Sequence, residues 1–318
     1  MKRVSLGLLP GLWLAALLMG YGAPALGASV ERRPVDIWSD GTRLAGDLWL
    51  PEQVAEGERR PAVLMTHGWG GVRDHLNTDY APAFARAGFV TLTFDYRGWG
   101  DSDSRLVVVG DEPAPDGDGI VTVRARAIRE VVDPIAQIRD IVSAIDYLSG
   151  EPSVDPDRIG LWGTSYSGGH VIVVGTQDAR VRAIVAQVGY MGVSKNPRRA
   201  LAQRRAIQKA RGEIDPIPQD LDCIPRLRGC PDLAKMLDYR PVAVADRITV
   251  PTLVIDAEAE ELFDRHKNGR AVYDIVKERV PADYVLYSGA HYAIYGPHRG
   301  ASIERAVAWF TTHLAATE

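Results

Sequence analysis

The stretch of this 318-residue chain richest in chemistry is Gly163-Thr164-Ser165-Tyr166-Ser167-Gly168-Gly169. An apolar run, Ile159–Trp162, leads into it, and a second apolar run, Val171–Val174, leaves it. That order reads as strand, tight turn, helix. A serine on such a turn is held in a strained backbone conformation with its hydroxyl exposed, and small neighbours are required because the turn leaves no room beside it. The helix that follows aims its first amides at negative charge developing next to the serine. The chemistry implied is nucleophilic attack on a carbonyl. A Gly/Ser-rich turn without chemistry is the plainer reading, but it leaves the strand-to-helix setting unexplained.

A hydroxyl is a weak nucleophile at neutral pH until a base takes its proton, and that base needs an acid to orient it. Of the seven histidines, His291 follows the last apolar run, in Ser288-Gly-Ala-His-Tyr-Ala-Ile-Tyr295. It therefore lies at the carboxyl end of a strand, where such sheets carry their reactive groups. His170, just behind Ser165, is read as packing and His67 as structural; the other four lie in loops or helices. The acid is expected after Thr252–Ile255, giving the chain order serine, acid, histidine. Asp256, Glu258, Glu260, Glu261 and Asp264 all crowd there. Asp256 comes early, at the strand's end, and Glu261 and Asp264 suit an acidic helix start. Glu260 is preferred, with Asp256 and Glu261 left open. Finally, Thr66-His67-Gly68-Trp69-Gly70-Gly71 follows another apolar strand. The amides of Trp69 and Tyr166 are expected to form an oxyanion hole, in which one donor is worth about 10²–10³ in rate.

These groups need a frame. Arg33–Trp38 and Thr42–Leu50 alternate around Ser39-Asp40-Gly41 and predict a hairpin. From Pro61 onward, short apolar runs at 62–65, 89–94, 159–162, 184–188, 252–255 and 284–287 alternate with helix candidates at 80–88, 134–149, 168–178, 266–279 and 301–314. Buried strands separated by helices describe an α/β fold, a mostly parallel central sheet covered by helices on both faces. Two interruptions remain. Runs at 105–109 and 120–126 predict a hairpin excursion, and residues of about 190–247 are too long for a simple connection, so a small inserted cap is expected. The cap's apolar residues, Met191, Ile207, Leu221 and Leu227 among them, are read as a roof over the substrate. Its arginines, Arg198, Arg199, Arg204 and Arg205, are either a solvated face or a positive rim for an anionic substrate.

Taken together the segments resemble the α/β-hydrolase fold across nearly all of residues 33–315. Thr66–Gly70 is similar to that family's His-Gly oxyanion segment. Asp95-Tyr-Arg97-Gly-Trp-Gly100-Asp-Ser102 is similar to its structural Asp-x-Arg-Gly-x-Gly-x-Ser loop. The Ser-Gly-Gly of the turn and the Gly-Ala-His-Tyr-Ala-Ile-Tyr ending most resemble the dienelactone-hydrolase-related and Xaa-Pro-peptidase-like esterase group. Two departures stand out: Ser167 replaces the turn's usual last glycine, and Glu260 stands where relatives often carry aspartate.

Residues 1–28 have the order of a secretory signal peptide: Lys2 and Arg3, an apolar core from Leu6 to Met19, then small residues with cleavage after Ala25 or Ala28. An uncleaved anchor is the alternative. Residues 29–318 would then form one α/β-hydrolase domain in the periplasm or outside the cell, with no membrane span after cleavage. In an oxidising compartment Cys223 and Cys230, the only cysteines, are expected to form a disulfide rather than two free thiols. Thirty-seven basic against 41 acidic side chains, a net charge of −4, carry no footprint for nucleic acid. No pair of His or Cys has ligand spacing, so neither a metal nor a cofactor is expected. The expected partner is a small-molecule ester or amide. The expected function is an exported serine hydrolase that cleaves carboxylic esters through an acyl-enzyme on Ser165, Glu260 and His291. Peptidase or aminoacyl-amide hydrolase activity and acyl transfer are the alternatives on the same residues, and a non-catalytic binding protein is the alternative of another class.

Overall fold

The computed structural model describes residues 29–52, 54–192 and 197–316; the expected signal peptide lies outside them. Eight strands form the central sheet: β1 (Glu31–Ser39), β2 (Thr42–Leu50), β3 (Arg60–Thr66), β4 (Val90–Phe94), β5 (Val154–Thr164), β6 (Val181–Gln187), β7 (Thr252–Ala257) and β8 (Ala282–Tyr287). Their spatial order is β1-β2-β4-β3-β5-β6-β7-β8. The first hairpin is antiparallel, and β2 pairs antiparallel with β4. Every pairing from β4 to β8 is parallel.

The short apolar runs are buried on both faces because side chains alternate across a strand. Leu64, Leu161, Ile184 and Val254 join one core with α2 (Pro134–Gly150), α3 (Tyr166–Gly175) and α5 (Gly269–Val276). Their neighbours Val63, Met65, Trp162, Val185 and Ile255 join a second core with α1 (Tyr80–Arg86) and α6 (Arg299–His313). In that second core Phe84, Phe89 and Phe310 pack ring to ring at 6.1–6.3 Å. Fully burying one such side chain stabilises the fold by about 1.5–3 kcal/mol. Local chemistry fixes where α2 begins: the Asp133 carboxylate accepts from the amides of Ile135 and Ala136 at 3.1 and 3.0 Å, and Pro134 fills the first position.

The excursion is a hairpin, but its second strand is Ala125–Ala127 rather than 120–126, paired with Leu106–Val108. Asp116 is the cause. Its carboxylate accepts from the amides of Asp118 and Ile120 at 3.0 and 2.8 Å, so residues 116–120 are spent in a turn.

Between β6 and β7 the chain makes the inserted segment, with α4 (Arg199–Ala210) as its longest helix. Cys223 and Cys230 are joined by a disulfide. Just beyond it, Cys230–Pro231 pairs in parallel with Val131–Val132. Two of the four arginines are engaged within the segment: Arg205, with Lys209, brackets the buried Asp222 at 2.9 and 3.1 Å, and Arg198 donates to the Cys223 carbonyl at 3.2 Å, while Arg199 and Arg204 are exposed.

Candidate active site

Ser165 links β5 to α3 with φ 54° and ψ −123°, a left-handed conformation that costs a non-glycine residue about 1–3 kcal/mol. The surroundings impose it. The Ser165 amide donates to the Gln187 carbonyl at 2.9 Å, and the Ser165 carbonyl accepts from Gly168 and Tyr190, each at 3.0 Å. Two glycines make room: a β-carbon at Gly163 would lie 2.4 Å from the Ser167 carbonyl oxygen, and one at Gly68 would lie 2.6 Å from Ser165 Cβ.

His291 is almost fully buried, with Nε2 3.2 Å from Ser165 Oγ and Nδ1 2.7 Å from Glu260 Oε2. With Glu260 ionised, Nδ1 carries the ring proton and Nε2 is free to accept the serine's. Glu260 arrives here through the pairing of β7 and β8. The amides of Glu258 and Ala259 donate to the carbonyls of Tyr287 and Gly289 at 2.8 and 2.9 Å, zipping the two loops together beyond the strands. Glu261, left open from the sequence, accepts from the backbone amide of His291 at 2.7 Å and so holds the loop rather than the ring.

Asp256, the other open choice, is buried and turned away, accepting from the Tyr284 hydroxyl at 2.9 Å through one oxygen. Burial, reinforced by the nearby charge of Glu260, pushes its carboxyl up to about 7. Bonded to Tyr284 instead, Asp256 does not orient the histidine, whose Nδ1 is held by Glu260.

His170 and His67 keep their structural reading. His170 sits behind the turn, its Nε2 3.2 Å from Gln137 Oε1, and burial pushes it down to about 3. His67 lies with Nδ1 3.0 Å from the Gly68 carbonyl, and burial pushes it down to about 4. The Asp95 loop braces the same segment: Asp95 accepts from the Arg73 amide at 2.7 Å and pairs with the Arg73 guanidinium, while Arg97 anchors the loop to Asp140 of α2.

Ser167 has a partner on each side. Its hydroxyl donates to Thr66 Oγ1 at 2.6 Å and lies 2.9 Å from the Tyr96 hydroxyl, and Thr66 passes the chain on to the Trp162 carbonyl at 3.2 Å. Sequence reasoning treated it only as a small residue.

A cavity of 330 Å³ opens beside Ser165. Its walls include Trp69, Leu76, Tyr80, Tyr292 and Tyr295, and its rim carries His75 and the Asp79–Arg299 ion pair at 2.7 Å. No described residue of the inserted segment lines it. Ile207, Leu221 and Leu227 instead point to solvent, so the expected roof does not form over this cavity. The signal for Tyr292 and Tyr295 lay beside His291 in the sequence; nothing local marked Asp79 or Arg299.

Comparison with known proteins agrees with this fold. A family model described as X-Pro dipeptidyl-peptidase (S15 family) matches residues 40–212, more than half the chain. An uncharacterised 31.7 kDa protein from the traX-finO intergenic region of Escherichia coli is 30% identical over 314 residues, spanning 86% of this chain and 98% of that protein. The quorum-quenching protein AidA of Acinetobacter baumannii is 30% identical over 159 residues, 50% of this chain and 45% of AidA. Among solved structures, the α/β hydrolase GrgF from Penicillium sp. sh18 superposes with a TM-score of 0.70 at 19% identity, covering 90% of this chain and all of that one.

Proposed function

Because the chain belongs to the X-Pro dipeptidyl-peptidase (S15) family and is an α/β-hydrolase enzyme of ester or peptide bonds, we propose that it is an exported serine hydrolase of carboxylic esters. The observation that carries this reading is the unbroken line from Ser165 through His291 to Glu260, starting on a strained turn. Ser165 Oγ attacks the carbonyl carbon as His291 Nε2 takes its proton, and Glu260 steadies the imidazolium. The oxyanion accepts from the amides of Trp69 and Tyr166. Collapse expels the alcohol, which leaves with the proton from His291. Water then repeats the cycle on the acyl-enzyme, with His291 as base again.

Ester cleavage is preferred over peptide cleavage for a reason in the inserted segment. A peptidase of free amino termini needs an acidic anchor near the nucleophile, and none of the candidates there, Glu213, Asp215 and Asp220, lines the cavity. Asp215 pairs with Arg126 at 2.7 Å, and Glu213 pairs with Arg211. Export rests on the order of residues 1–28, and the Cys223–Cys230 disulfide supports it, since such bonds persist in oxidising compartments.

The test is a panel of short p-nitrophenyl esters set against aminoacyl and prolyl p-nitroanilides, each run with a Ser165→Ala control. Ester turnover that vanishes in the control is expected. Anilide turnover exceeding ester turnover would make the protein a peptidase instead.

A further inference from the structure

The disulfide-closed loop touches the oxyanion segment directly. Trp69 Nε1 donates to the Arg228 carbonyl at 3.0 Å, and the Trp69 ring meets the Tyr166 ring edge-on at 5.3 Å between centroids. Trp69 and Tyr166 are the two residues whose amides face the oxyanion in the reading above. Gly70 also backs onto the loop, so closely that a β-carbon there would lie 3.1 Å from Arg228 Cβ.

The loop itself is pinned from two sides. On its carboxyl side the Cys230 amide donates to the Glu130 carbonyl at 3.0 Å, and Arg228 pairs with the Glu130 carboxylate at 2.6 Å, its guanidinium 5.7 Å from the Trp99 ring. Trp99 in turn donates to the Val131 carbonyl at 3.0 Å, which fixes that ring to the core. On its amino side the neighbouring Asp222 is clamped by Arg205 and Lys209 of α4, and the Cys223 carbonyl by Arg198. The disulfide joins these two anchorages across a separation of 7 residues. The disulfide is the covalent link between the two ends; the Arg228–Glu130 pair is half-exposed and weak on its own.

We propose that loop 223–230 is a strap that positions the oxyanion hole, acting through the hydrogen bond from the Trp69 indole to the Arg228 carbonyl. The proposal rests on the oxyanion role assigned to Trp69. Arg228 touches no reacting atom; it is a positioning residue through its main chain. The physical requirement is accuracy, because a misplacement of about 1 Å near reacting groups can cost 10²-fold in rate. The strap would also tie full activity to the exported, oxidised protein.

Two variants of the full chain test this, with p-nitrophenyl acetate as the probe substrate and a fluorophosphonate as the active-site label. Cys223→Ser with Cys230→Ser opens the strap, while Trp69→Phe keeps an aromatic ring and the disulfide but removes the donor. Each is expected to lower kcat roughly tenfold, a fraction of the cost of losing an oxyanion donor outright, with KM within about twofold. Combining them should cost little more than either alone, because both act through one contact. A general loosening of the protein would instead lower the melting temperature and give additive losses. If the cysteine pair fails to fold, Trp69→Phe alone decides. An unchanged kcat in Trp69→Phe overturns the strap while Ser165-dependent turnover stands. A wild-type protein that neither turns over nor labels at Ser165 overturns the hydrolase reading and the strap with it.

Discussion

The turn at Ser165 and the loop after β7 each deliver one group to the same histidine, by opposite means. At the turn, seven consecutive residues carry most of the geometry: a strained serine, a glycine two residues before it that admits no side chain, and a helix that begins at once. Beyond β7, five carboxylates lie within nine residues, and what selects Glu260 is the pair of hydrogen bonds to the loop after β8. Steric exclusion is written locally, whereas selection among like charges is made by a distant partner. A substitution at the turn should therefore act at once on shape and chemistry. In the acid loop the two effects should separate.

The largest effect expected is that of Ser165→Ala, a loss of on the order of 10⁴-fold or more in kcat/KM with the melting temperature kept. Ester assays paired with thermal melts check it. Next comes the contrast within the acid loop. Glu260→Gln should cost about 10³–10⁴-fold in kcat because it no longer holds the correct tautomer, and Asp256→Asn should stay within about threefold. The reverse ranking would move the acid to Asp256 and break the comparison. Gly163→Ala should damage both activity and stability, the latter by about 1–3 kcal/mol, since the new methyl meets backbone rather than a movable side chain. Urea unfolding of the variant measures it.

Asp256 should show itself in stability instead. Its native carboxyl keeps a proton up to about pH 7, against an ordinary value of 3.8. Between those values the native state binds more protons than the unfolded one, so stability falls as pH rises through that window and levels off above it. Glu260, Tyr284, Arg265 and His291 are the charged or titratable groups that act on it. Asp256→Asn should flatten that slope, read as the difference in unfolding free energy between about pH 5 and about pH 8. The smallest effect is that of Ser167→Ala. It leaves the hydroxyls of Tyr96 and Thr66 short of a partner and should cost about 1–2 kcal/mol of stability, with kcat within about twofold.

The same division explains what could be read in advance. The sheet was legible because runs such as Ala62–Met65 and Thr252–Ile255 are largely apolar on both faces; Ser165 and His291 could be placed by their order after strands, while Glu260 was preferred with Asp256 and Glu261 left open. The cavity wall was not, because Leu76, Tyr80 and Arg299 come from segments with no reactive motif of their own. The inserted segment looked apolar enough to roof the site, yet Ile207 and Leu221 stay exposed. Composition reports how much apolar surface a segment has and says nothing of where it faces. The second strand of the hairpin excursion was misplaced for a similar reason: Asp116 claims the amide of Ile120 for a turn, which periodicity alone does not register.

The central claim, that Ser165 is the nucleophile of an acyl-enzyme activated by His291, is met most directly by fluorophosphonate labelling followed by peptide mass spectrometry. The account predicts one adduct, on the peptide bearing Ser165, with loss of ester turnover in proportion to labelling and no adduct in His291→Ala under the same conditions. An adduct on another residue, or turnover that survives complete labelling of Ser165, would contradict it.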